Sequence, residues 1–209
     1  MKIKLFATAF LFLVFFLLSS FSQHKKTDLT EFEKQSLIFM IEEEKLAHDV
    51  YVTLNEKWNY ACFTNISKSE NFHKSQIKNL LDTFNIEFEI IDSIGEFNNH
   101  ELKALYNSLI EKGKLSLQDA FEVGATIEDK DIYDLQEALL KIENQQITDV
   151  YNNLIFGSKN HIKAFTRNLN SLNYNYVPQF ISVEQYNTII STKNKKVTVN
   201  TSCQKKCKN

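Results

Sequence analysis

The sequence predicts an all-α protein: an antiparallel bundle of four long helices, with an extra short helix in the second crossover and a short C-terminal helix. Three observations carry this reading. One Pro and four Gly in 209 residues leave few breaks in the chain. Sustained alternation of apolar and polar residues is scarce, so the period-two signal of strands is missing. Apolar residues instead recur at steps of three and four, the spacing of one helix face.

The elements follow in order. Thr30-Glu31-Phe32-Glu33 has the capping-box pattern and opens a first helix that runs to about Lys57. A second helix covers about 65–84. A looser section follows over 85–98, with Gly95 inside it, and then a shorter helix over about 99–112. The apolar side of that helix is Leu102, Leu105, Tyr106 and Leu109, and Gly113 is placed to end it. Ser116, three residues before Asp119, starts a long helix reaching about Ile142. The last long helix covers about 145–172, and after Pro178 a short one spans about 183–190.

The inward stripes of the four long helices are not purely apolar. The first reads Leu37, Ile41, Glu44, His48, Tyr51, and the second Ile66, Glu70, His73, Ile77, Leu80, Phe84. The third long helix reads Phe121, Gly124, Glu128, Asp131, Leu135, and the fourth Tyr151, Leu154, Ser158, His161, Phe165. A carboxylate or imidazole facing a core is costly unless something pairs with it. Every long helix turns at least one such group inward near its middle, so antiparallel packing gathers them in one layer. Glu44, Glu70, His73, Glu128, Asp131 and His161 are therefore the candidate metal ligands.

Oxygen and nitrogen donors suit iron, manganese or zinc, and the lack of an inward Cys argues against a thiolate site. Bundle cores build such sites from Glu on two helices and Glu-x-x-His on the other two. A dication also relieves the repulsion among close carboxylates. Two other readings stay open at this point. One is a binding module without catalysis. The other is a metal-free bundle in a structural or interaction role, its polar layer an internal hydrogen-bond network.

Neighbouring residues read less sharply. His48 is a neighbour of the layer or a solvent contact at the bundle end, and Asp131 is a ligand or an orienting partner of a His. Tyr51, Tyr133 and Tyr151 read mostly as core or interface aromatics. The run Glu42-Glu43-Glu44 reads mainly as solvated face, with Glu44 alone in the row.

The ends and the charge bound the setting. Lys2 and Lys4 precede an apolar run over 5–18, and Ser20-Phe21-Ser22 supplies small residues before a cut. Residues 1–22 are thus expected to be a signal peptide. The chain is expected to be exported, periplasmic or secreted, with no stable membrane span after cleavage. All 26 acidic residues lie between Asp28 and Glu184, against 16 basic ones over 23–192, so the body carries near −10. That balance argues against nucleic acid as the main partner and fits metal ions as partners, plain solubility explaining it equally well; a homodimer is compatible with it.

The tail, 193–209, adds six Lys and no acid and reads as disordered. Its Cys203 and Cys207 suit a small disulfide loop in an exported protein, while Cys62 stands alone.

Four segments, EEEKLAHDVY, NISKSENFH, VGATIEDKDIYDLQEAL and GSKNHIKAF, resemble an uncharacterised ferritin-like family of bacteria and archaea, a domain of unknown function. The resemblance spans roughly 32–190, nearly the whole body. More distantly, EKLAHDVY is similar to the matching helix of rubrerythrins, whose iron-binding Glu corresponds to Glu44. The resemblance implies a ferritin-like bundle holding one or two irons on Glu44, Glu70, His73, Glu128 and His161. It further implies a di-iron oxidoreductase, peroxidase- or ferroxidase-like.

The chain departs from that pattern at one position. Where a full di-iron site has Glu three residues before its last His, this chain has Ser158. A bridging carboxylate is thus missing: either Asp131 compensates or the site holds one metal. A CxxC pair for a rubredoxin-type electron donor is absent as well.

Overall fold

The computed structural model describes residues 28–192. The expected signal peptide, 1–22, and the Lys-rich tail with Cys203 and Cys207 lie outside the described residues. These form six helices and no strand: α1 (Glu31–Trp58), α2 (Ala61–Phe84), α3 (His100–Gly113), α4 (Leu117–Leu139), α5 (Gln145–Ser171) and α6 (Val183–Ser191). No helix among them is long and apolar enough to cross a membrane.

Helices start where a side chain can take up free backbone N–H groups. The Thr30 hydroxyl accepts from Glu33 N, and the Glu33 carboxylate accepts from Thr30 N at 2.8 Å, completing the expected capping box. Asn99, Ser116, Asn144 and Ser182 cap α3, α4, α5 and α6. Tyr60 gives α2 no capping bond. With no local start signal, the helix begins at Ala61 instead of near residue 65, bringing Phe63 into the core.

Helix ends fall within a residue of expectation except that of the fourth helix. Asn59 and Asn85, at φ 46° and 55°, supply the left-handed residues that end α1 and α2. Gly113 ends α3 without a positive φ; it is small because Leu54 packs onto it, and a Cβ there would lie 2.7 Å from a Leu54 methyl. The fourth helix stops at Leu139, short of Ile142, because Glu33 accepts from the N–H groups of Glu143 and Asn144 at 3.0 and 2.8 Å.

The strongest packing is α1 on α2 and α4 on α5; α3 lies against α1 and α4, and α6 against α5. The core is in two parts. One holds Val50 and Leu54 of α1, Phe63 of α2, Phe121 of α4 and Phe165 of α5. The other holds Leu37 and Ile41 of α1, Ile77 of α2, Leu135 of α4 and Leu154 of α5. The early half of α1 thus meets the late halves of α2 and α4 and the early half of α5. Helices α1 and α5 therefore run one way, and α2 and α4 the other. The candidate ligands fall between the two apolar parts.

Buried carboxylates fasten the connections. Glu42 accepts from Asn98 N and Asn99 N at 2.6 and 3.0 Å. Asp49 accepts from Gly95 N at 2.9 Å and from the buried Lys45. Asp129 accepts from the Tyr176 hydroxyl at 2.8 Å and from the N–H groups of Gln179, Phe180 and Ile181. Burial alone would raise the Glu33 and Asp49 carboxyls, but these bonds, with His48 and Lys45 beside Asp49, hold both below the usual range.

The solvated-face reading of Glu42-Glu43-Glu44 is overturned: they are 3%, 5% and 2% exposed. Glu42 clamps the crossover, Glu43 pairs with Lys130 at 3.0 Å, and Glu44 faces His73.

Candidate metal centre

Three helices present their polar groups as i, i+3 pairs, so both members share one face: Glu70 with His73, Glu128 with Asp131, and Ser158 with His161. Glu44 of α1 completes the layer, and all seven residues are buried. Glu70 lies at the middle. Its Oε2 is 2.8 Å from His73 Nδ1, and its Oε1 is 2.7 Å from His161 Nδ1. Glu44 Oε2 lies 3.2 Å from His73 Nδ1, and Glu128 Oε2 lies 3.3 Å from His161 Nδ1.

Two triads result, Glu44–Glu70–His73 and Glu70–Glu128–His161, in each of which one donor atom per residue falls within 4.8 Å of the others. They share Glu70. The two imidazole rings stack at 5.5 Å between centroids. Asp131 stands beside the triads without joining either; its Oδ2 accepts from the Ser158 hydroxyl. Ser158, the position where a carboxylate was expected, thus holds a carboxylate that comes from α4.

The contrast with the clamps is informative. Glu44 Oε1 and Asp131 Oδ1 are buried without a hydrogen bond. A buried oxygen left so is expensive, and native proteins keep few of them. Four carboxylates and two imidazoles meet here, so two protons on the rings leave negative charge over. Burial, reinforced by Glu70, pushes Glu44 up to about 8. Burial and the Glu70 charge raise Glu128; burial, then Glu44 and Glu128, push Asp131 well above the carboxylate range. Burial opposes a charge on the rings, but the carboxylates outweigh it, raising His73 to about 11 and His161 to about 10. Glu70, opposite both rings, is held below its ordinary value despite its burial.

These directions fix a pH dependence. Glu44, His73 and His161 bind protons more tightly folded than unfolded. Their contribution is full below the ordinary values, 4.5 and 6.5, and is lost as pH rises through about 8, 10 and 11. Glu70 runs the other way, but its contribution is complete above 4.5 and constant beyond it. Protein stripped with a chelator is therefore expected to melt at lower temperature at about pH 9 than at about pH 6. Should the layer hold Mn(II), the stabilisation by added metal is expected to grow over the same interval, because metal would displace those protons. Calorimetry at both pH values checks this; a stripped protein that melts higher at the alkaline pH would contradict the assignment.

The remaining candidates sort clearly. His48 bonds Asp49 at 2.8 Å, away from the triads. The Tyr51 hydroxyl donates to Glu128 Oε1 at 2.6 Å, next to the centre. Tyr151 bonds Ser36, and Tyr133 is exposed. Burial and the Glu128 charge push the Cys62 thiol up to about 11.

Two contributors escaped the sequence reading. Ser69 Oγ lies 3.0 Å from His161 Nε2, the ring nitrogen turned away from the carboxylates. Gly157 lets α5 approach His73 so closely that a Cβ would lie 2.5 Å from its ring. Neither sits on an inward stripe, and that is why periodicity passes over them.

Residues 33–193 match the model described as an uncharacterized protein domain, DUF2202. The chain is 49% identical over 177 residues to the uncharacterized protein MJ0754 of Methanocaldococcus jannaschii, covering 84% of this chain and 96% of that one. The crystal structure of hypothetical protein MJ0754 matches with a TM-score of 0.80 at 49% identity, over 81% of this chain and 98% of that one. With the family model spanning most of its length, the chain belongs to the uncharacterised DUF2202 domain family.

Proposed function

We propose that this chain is an exported, ferritin-like four-helix bundle that binds two iron or manganese ions on Glu44, Glu70, His73, Glu128 and His161, with Asp131 as the further carboxylate. The observation that carries the reading is the shared Glu70, one oxygen toward each histidine, in two donor triads with unpaired oxygens. Neutral imidazoles and four carboxylates match the charge of two dications. Ser158 supports the assignment of Asp131, since its hydroxyl leaves Asp131 Oδ1 free to face the layer.

Iron or manganese held there supplies electron chemistry toward dioxygen or peroxide. The chain's part is to set the geometry, keep water out and hold His161 through Ser69. Export is supported by the Lys2, Lys4 and 5–18 pattern, and N-terminal sequencing of protein from the envelope tests it.

A metal-free polar core is the second reading, favoured by one observation: each imidazole Nδ1 already lies near two carboxylates. Elemental analysis separates the two. About two metal ions per chain, lost in the Glu70→Ala/His73→Ala variant, is the expected result. No bound metal after loading with iron, manganese or zinc would sink the proposal.

A further inference from the structure

The α1–α4 seam carries acidic groups beyond those of the centre. Along α4, Glu128, Asp131, Asp134 and Glu137 follow at steps of three, each step turning about 60° back around the helix axis. The row therefore winds outward: Glu128 and Asp131 are buried, the Asp134 side chain is 22% exposed, and Glu137 is at the surface. Facing it from α1 is the buried Glu43. Its Oε1 accepts from Lys130 Nζ at 3.0 Å, while its Oε2 has no hydrogen bond.

Lys130 also donates to Asp134, its ammonium lying 5.8 and 5.9 Å from the ring centroids of Phe39 and Phe180. Outside, Asp134 and Glu137 line a cavity of about 330 Å³ with Ser36, Phe39, Met40 and, as its one cation, Lys141. One ammonium thus serves two carboxylates, and two buried oxygens on the same path, Glu43 Oε2 and Asp131 Oδ1, lack donors.

We propose that this seam is the route by which a divalent cation is loaded into the centre. Asp134 and Glu137 gather the cation at the cavity, Glu43 and Asp131 offer unpaired oxygens further in, and the Lys130 ammonium is the plug it displaces. A flexible, strongly hydrated ammonium suits that part, since it can swing out to water. The inference rests on the metal centre proposed above.

The test is the rate of Co(II) uptake by chelator-stripped, full-length protein, followed by visible absorption in a stopped-flow instrument. Final cobalt content is measured separately. Glu43→Gln and Asp134→Asn are each expected to slow uptake about tenfold, as loss of a focusing charge does, with final content unchanged. Lys130→Met is expected to speed it; this opposite sign is something a general loosening of the fold would not give. Asp134 is exposed enough for its variant to fold should Glu43→Gln not do so. Unchanged rates in all three variants would overturn the route and leave the centre standing. Lower final content at unchanged rate would make Glu43 a ligand and also overturn the route. No Co(II) uptake by the unmodified protein would overturn route and centre together.

Discussion

Asp129→Ala is expected to cost about 3–5 kcal/mol of unfolding free energy. Asp129 is 0% exposed and takes three backbone N–H groups and one phenol from the segment before α6. Removing it leaves the donors of the buried Tyr176 and Ile181 without an acceptor, while those of the exposed Gln179 and Phe180 turn to water. Each unsatisfied donor costs about 1–3 kcal/mol, and partial release of the strap keeps the total below their sum. In a domain of this size the melting temperature should fall by about 10 °C. Denaturant titration and calorimetry measure both quantities. A loss under about 1 kcal/mol would show that the strap contributes little to stability.

On the proposed two-metal centre, Gly157→Ala is expected to remove one ion of two while leaving the protein folded. The new Cβ would lie 2.5 Å from His73 Cε1 and Nε2, closer than real contacts come. His73 is flanked by Glu44 and Glu70 through Nδ1, so the ring has to leave those oxygens or α2 and α5 have to spread. Overpacking of this kind costs about 1–3 kcal/mol, which the fold survives. Where the ring moves and the helices stay, the Glu70–Glu128–His161 triad keeps its geometry, since the new Cβ would stand 3.8 Å from His161 Cε1, an ordinary contact. Metal content near one per chain, with a native circular dichroism spectrum, is the expected outcome. Two ions retained would mean that His73 is not a ligand.

Much of this was legible because helix periodicity reports which residues share a face. The row Ile66–Glu70–His73–Ile77 placed two polar groups in a core position, and the structure buries both. Matching interruptions at Glu44, Glu128 and His161 told that the groups share a height, since antiparallel helices align their middles. What periodicity does not carry is the partner of a buried carboxylate. Glu42, Glu43 and Glu44 are consecutive, yet one holds a crossover, one faces Lys130 and one faces His73. Their partners are 29 to 87 positions away in sequence. Ser158 read as a loss for the same reason: the carboxylate beside it comes from Asp131, on another helix.

The division of the apolar core by a charged layer bears on cooperativity. Two hydrophobic nuclei of unequal size are joined by four helices that cross a slab in which burial works against folding. Whatever neutralises that slab decides whether the two ends open as separate units or as one. The centre thereby acts as the clasp between two half-domains, and its counter-charge sets how widely a local disturbance spreads.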